Sequence, residues 1–96
     1  MVKTQEERDL LMSTWDYDRF RRALRLRDDY EARRMAEEIW SKSFNKYEAA
    51  ENIARIMKEE RPLDTREWGN EVTYDGITVR HHGPPRLEVK EDDLDD

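Results

Sequence analysis

The stretch EVTYDGITVR, residues 71–80, constrains the fold more than any other part of the chain. Asp75-Gly76 suits a two-residue type I′ turn, in which both central residues need positive φ. Pairing across that turn sets Tyr74 against Ile77 and Val72 against Val79, with all four on one face. Thr73 then meets Thr78 on the other face, and Glu71 meets Arg80 as an opposite-charge cross-strand pair. A lone hairpin is marginal in water. Its apolar face must therefore lie on the chain's own helices or on a partner.

The rest of the chain reads as helical. Thr4 and Glu7 have capping-box spacing and predict a short helix over 5–12, with Leu10 and Leu11 facing a core. Ser13 and Thr14 predict a second start and a helix over 15–27, with Tyr17, Phe20, Ala23 and Leu24 on one face. Asp28 with Glu31 suggests a fresh start before Ala32, Met35, Ala36, Ile39 and Trp40, which follow helical spacing. Asn45 and Glu48 cap a further helix, with Phe44 expected to staple onto Ala49. Ala49, Ile53, Ile56 and Met57 carry that helix to about Glu60, where Pro62 stops it. The spacing of Asp64 and Glu67 predicts one more helical turn closed by Gly69.

Composition limits the core this pattern can build. Leu, Ile, Val and Phe number 17 of 96 residues, and 44% of residues are charged. Three Trp and four Tyr stand against disorder, and the Trp are expected in the core, with Trp68, beside Gly69, alternatively an exposed anchor. A chain this poor in aliphatics often completes its core with a partner. The expected architecture is α+β: three or four short helices followed by one C-terminal hairpin. Residues 1–83 form a single domain in this reading, with hairpin 71–80. Leu87 and Val89 alternate as in a weak edge strand, yet residues 84–96 are read as a disordered acidic tail.

Function is narrowed mostly by exclusion. The chain has no Cys, so disulfide and thiolate chemistry are excluded. There is no apolar run of signal-peptide or membrane-span type, so a cytoplasmic protein without membrane contact is expected. His81 and His82 sit next to each other on a strand, which points them to opposite faces and argues against a shared metal. No nucleophile elbow, P-loop or metal motif is present. The expectation is a non-enzymatic protein with no cofactor and no metal.

Residues 19–34 hold seven arginines. On a helical wheel centred on Phe20, Arg21, Arg25 and Arg22 lie at about 100°, 140° and 200°, away from the apolar face. Asp18 lies among them. The i,i+4 pairs Asp18–Arg22, Asp29–Arg33 and Arg34–Glu38 are expected to neutralise much of the charge. A phosphate-reading face normally presents uncompensated cations, so a solvated helix surface or a protein interface is favoured.

The sequence therefore predicts a small protein-binding regulator, adaptor or inhibitor, able to self-associate. By compositional analogy, such chains are common among virus-encoded modulators of host enzymes. The expected contacts are Arg21, Arg22, Arg25, Met35, Trp40 and Trp68. Two alternatives stand beside it. One is a nucleic-acid-binding regulator using the Arg-rich helices. The other is an inhibitor that imitates a nucleic-acid backbone with Glu88, Glu91, Asp92, Asp93, Asp95 and Asp96.

Overall fold

The structure is a computed structural model that describes residues 5–90, with side chains from Trp15 onward. Three helices, α1 (Gln5–Arg25), α2 (Asp29–Lys42) and α3 (Lys46–Glu60), precede four strands. The strands are β1 (Arg66–Trp68), β2 (Glu71–Tyr74), β3 (Ile77–Arg80) and β4 (Arg86–Val89). They form one antiparallel sheet in the order β1-β2-β3-β4. The α+β class is as expected, but the sheet is larger than one hairpin.

The helix starts at Asp28 and Asn45 follow the capping chemistry. Asp28 accepts a hydrogen bond from the Glu31 backbone N–H, and Asn45 accepts one from that of Glu48. The expected break at Ser13–Thr14 does not occur, and α1 runs through it. Ser and Thr inside a helix cost only tenths of a kcal/mol each, too little to stop it without Gly or Pro. The Thr4 cap and the Leu10 and Leu11 side chains fall outside the described residues. Helix α1 ends in a Schellman motif: Asp28 N–H donates to Ala23 C=O (2.9 Å) and Arg27 N–H to Leu24 C=O (3.2 Å). Arg27 takes the left-handed position at φ 58°, where glycine is usual. Asp28 thus closes α1 and caps α2.

Phe44 does not staple onto Ala49, since it is 91% exposed while Ala49 is buried. The α2–α3 turn is tied instead by Lys46. Its Nζ donates to the carbonyls of Trp40 and Ser43 and lies 5.3 Å from the Trp40 ring centroid.

The central hairpin has the predicted register: Glu71↔Arg80, Val72↔Val79, Thr73↔Thr78 and Tyr74↔Ile77. Asp75 and Gly76 both have positive φ. The predicted helical turn at Asp64–Glu67 is instead the approach to β1, which pairs with β2. A single turn fixes several dihedrals for one hydrogen bond, whereas three residues paired to β2 extend an existing ladder. Gly69 (φ 56°) opens the two-residue link from Trp68 to Glu71. The tail prediction also needs correction, because residues 86–89 pair with β3. Leu87 lies opposite Val79 and Val89 opposite Ile77, so both pack against the core. Residues 91–96 lie outside the described part.

The molecule has three layers. Helices α2 and α3 lie on one face of the sheet, and α1 packs on α2 and α3 from the far side. Phe20, Leu24, Met35, Ile53, Ile56 and Met57 fill the helical interior, and Val72, Tyr74, Ile77 and Val79 join them from the sheet. Buried Ala23, Ala32, Ala36, Ala50 and Ala54 lie among them. Small side chains let the helices approach closely, which is how few aliphatics suffice. Trp40 packs against this core, but Trp15 and Trp68 are each 67% exposed, contrary to expectation.

Candidate functional surfaces

Most of the Arg-rich stretch is tied down by the fold. Arg19 on α1 reaches Glu31 on α2 (3.3 Å). Arg21 reaches Glu59 (3.0 Å) and Glu60 (3.7 Å) on α3. Arg25 grips Glu60 through Nε and Nη2, at 3.2 and 3.1 Å. That contact raises the Arg25 pKa and holds the Glu60 carboxyl below its ordinary range, each chiefly through the hydrogen bond itself. Arg27 pairs with Asp64 (3.4 Å), and Arg34 turns back to Glu31. Arg33 is buried and donates to both the carbonyl and the carboxylate of Asp75, pinning the hairpin turn to α2. The predicted i,i+4 pair Asp18–Arg22 is not formed, and Arg34 chooses Glu31 over Glu38. The carboxylates of neighbouring elements neutralise these cations. Of the seven arginines, Arg22 alone has no ion pair among the described residues.

The hairpin turn meets the first turn of α2 a second time through Tyr74, whose hydroxyl donates to Asp29 at 2.8 Å. Burial, then the hydrogen bond and charge of Asp29, push the Tyr74 pKa up to about 12. Burial, together with the nearby Asp29, also raises the Asp75 carboxyl, against the opposing pull of Arg33.

Two exposed surfaces hold the predicted contacts Arg22 and Trp68. The first is the outward side of α1. With Phe20 facing the core, Trp15, Arg22 and Leu26 fall within about 40° of one another on the far side of the helix. Trp15 is 67% and Leu26 65% exposed. Two shallow grooves flank Arg22 and Leu26, one bounded by Asp18 and Arg25, the other by Arg19 and Glu31. Arg22, predicted as a contact, lies at the middle of this face. Arg21 and Arg25 lie at its flank with their charges paired. Met35, also predicted as a contact, is fully buried and belongs to the core. Trp40 is half-covered by the core and by Lys46.

The second is the outer face of the sheet, which no helix covers among the described residues. Cross-strand register places Trp68, Glu71, Arg80 and Arg86 in one row, and Arg66, Thr73, Thr78 and Glu88 in the next. Trp68, predicted as an anchor, stands at the β1 edge of this face. Glu88 is also here; the remaining predicted acids, Glu91, Asp92, Asp93, Asp95 and Asp96, lie outside the described residues.

His81 and His82 do not diverge as a strand would place them. They follow β3, and their ring centroids are 4.5 Å apart. Burial, then the His82 charge, lowers the His81 pKa. Among the described residues, no group of three His, Cys, Asp or Glu is placed to hold a metal ion. Nor is any helix there long and apolar enough to cross a membrane.

No protein-family model, curated protein or solved structure matches the chain.

Proposed function

We propose that the chain is a small, non-catalytic, protein-binding regulator or adaptor of the cytoplasm that engages its partner through the outward face of α1. One observation carries this reading: two large apolar side chains, Trp15 and Leu26, stand two-thirds exposed on either side of the unpaired Arg22. Interface centres are enriched in aromatic residues and Arg. Arg19 and Arg25 lay their stems along the rim of the same face, where they exclude water while staying tied to Glu31 and Glu60. Arg19 and Arg25 are neutralised by Glu31 and Glu60, which leaves Arg22 as the cation of this face without an ion pair among the described residues. A partner with an apolar ridge and a carboxylate set opposite Arg22 fits the face.

The test is affinity capture from the native cell with three baits: the natural chain, a Trp15→Ala/Leu26→Ala variant, and a Trp68→Ala variant. The α1 variant should lose a protein that both other baits retain. Retention of the same proteins by all three baits would rule out the α1 face.

A further inference from the structure

The fold treats its cations in two different ways. Those of the helices are mostly paired with carboxylates. Those on the outer face of the sheet are not: Arg66, Arg80, Arg86 and, next in the alternation, Lys90 make no ion pair among the described residues, although Glu71 and Glu88 share the face. Arg80 and Arg86 lie directly opposite each other on β3 and β4. Like charges so placed are destabilising unless something neutralises them. Arg80 is half-buried, and its Nε is enclosed without a hydrogen-bond partner. Glu71 stands opposite Arg80 on β2, yet the two form no ion pair.

We infer that this face binds single-stranded nucleic acid. Arg80 and Arg86 together take a backbone phosphate, Arg66 and Lys90 extend the cationic track, and Trp68 offers its exposed ring as a stacking platform for a base. The sheet supplies the geometry. It is four strands wide, roughly 14 Å at the usual strand spacing, and its helices are confined to the opposite side. The chemistry of the face selects the ligand. Apart from Trp68 the outward residues are Thr73, Thr78 and charged side chains, so the face lacks the apolar centre a protein interface needs. A polyanion with exposed ring faces matches it on both counts, since base–aromatic stacking and phosphate neutralisation tolerate any sequence. A duplex hides its base faces and would leave Trp68 without a role. This is the nucleic-acid alternative of the sequence reading, moved from the helical arginines to the cations of the sheet. It stands independently of the α1 face.

The experiment is fluorescence anisotropy with a labelled oligothymidylate of about 12 nucleotides, over a range of salt, using the full chain. The natural protein should bind, with a slope of log K against log salt of roughly −2 for three neutralised phosphates. Arg80→Gln/Arg86→Gln should weaken binding at least tenfold and flatten the slope by about 0.7, for the one phosphate they share. Trp68→Ala should weaken it with the slope unchanged, and Arg21→Gln/Arg22→Gln on α1 should leave it as it was. Arg66→Gln/Lys90→Gln serves as a second sheet variant if the first does not keep the natural circular dichroism. Four results would each overturn the inference. They are absence of binding at low salt, loss in the α1 variant with the sheet variants unaffected, equal affinity for the matching duplex, and displacement by polyglutamate as effective as by unlabelled strand.

Discussion

Single residues carry sharp expectations because their surroundings are specific. Gly76 has φ 86°, and a Cβ there would lie 2.6 Å from the Lys90 carbonyl oxygen and 3.0 Å from Arg33 Nε. Gly69 also has positive φ, but nothing lies within 4 Å of its would-be Cβ. Gly76→Ala should therefore destabilise by about 1–3 kcal/mol, and by more than Gly69→Ala; equal melting temperatures for the two would refute the packed turn. Arg27 holds the left-handed position that ends α1, at a backbone cost of roughly 1 kcal/mol. Its ion pair with Asp64 is exposed and offsets little of this, so Arg27→Gly should raise the melting temperature. A fall would mean that the pair outweighs the backbone term. Tyr74 predicts a pH dependence. Its folded-state pKa is raised from 10.0 to about 12, so the folded state holds this proton more tightly than the unfolded one. The stability it contributes is complete below pH 10 and is lost as pH rises through about 12. In Tyr74→Phe the loss of the hydrogen bond to Asp29 costs on the order of 1 kcal/mol at neutral pH, and stability should fall less between pH 10 and 12 than in the natural chain. Parallel alkaline melts of the two proteins would remove this assignment.

Elements were legible in the sequence where local chemistry agreed with the wider fold. The caps at Asp28 and Asn45 and the Asp75-Gly76 hairpin fall in this class, because each is set by residues within four positions. Misreadings arose where a local signal competed with pairing to distant residues. Asp64–Glu67 has cap spacing, but β2 offered Arg66–Trp68 a ladder, and no local pattern announces that. The acids flanking Leu87 and Val89 suggested a tail, although the same alternation suits a strand covering the edge of β3. Candidate surfaces were harder to read. Arg22 and Trp68, expected as contacts, are exposed, but Met35 is buried, because helical spacing cannot tell which neighbours cover a face. Trp15 and Leu26 were missed as contacts because a tryptophan among charges reads as core. The outward period Trp15, Arg22, Leu26, at i, i+7 and i+11, was the available sign. If β4 belongs to the fold, truncation after Pro85 removes the cover of Ile77 and Val79 and should cost about 2 kcal/mol or more. Equal melts for this truncation and the natural chain would show that β4 adds nothing.

At the scale of the whole molecule, charge is divided by layer. The helical layers knit α1 to α3 and α2 through Arg21, Arg25 and Arg19, so the arginine-rich stretch acts mainly as internal fastening. The two proposed contact surfaces are the apolar ridge of α1 on one side and the cationic sheet face on the other. Residues 91–96 contribute five of the chain's acids and follow directly after Lys90 on that second face. Removing them should strengthen binding of a single strand at low salt and matter less at high salt, since screening shortens the reach of their charge. An affinity that stays the same at both salt levels would separate those acids from the face. The central claim concerns the ridge, and oxidative footprinting of the chain in its captured complex tests it most directly. Trp15 and Leu26 should become protected on complex formation, while Leu63, 97% exposed in the α3–β1 turn, stays reactive. Protection of Leu63 with Trp15 and Leu26 left reactive would contradict the account.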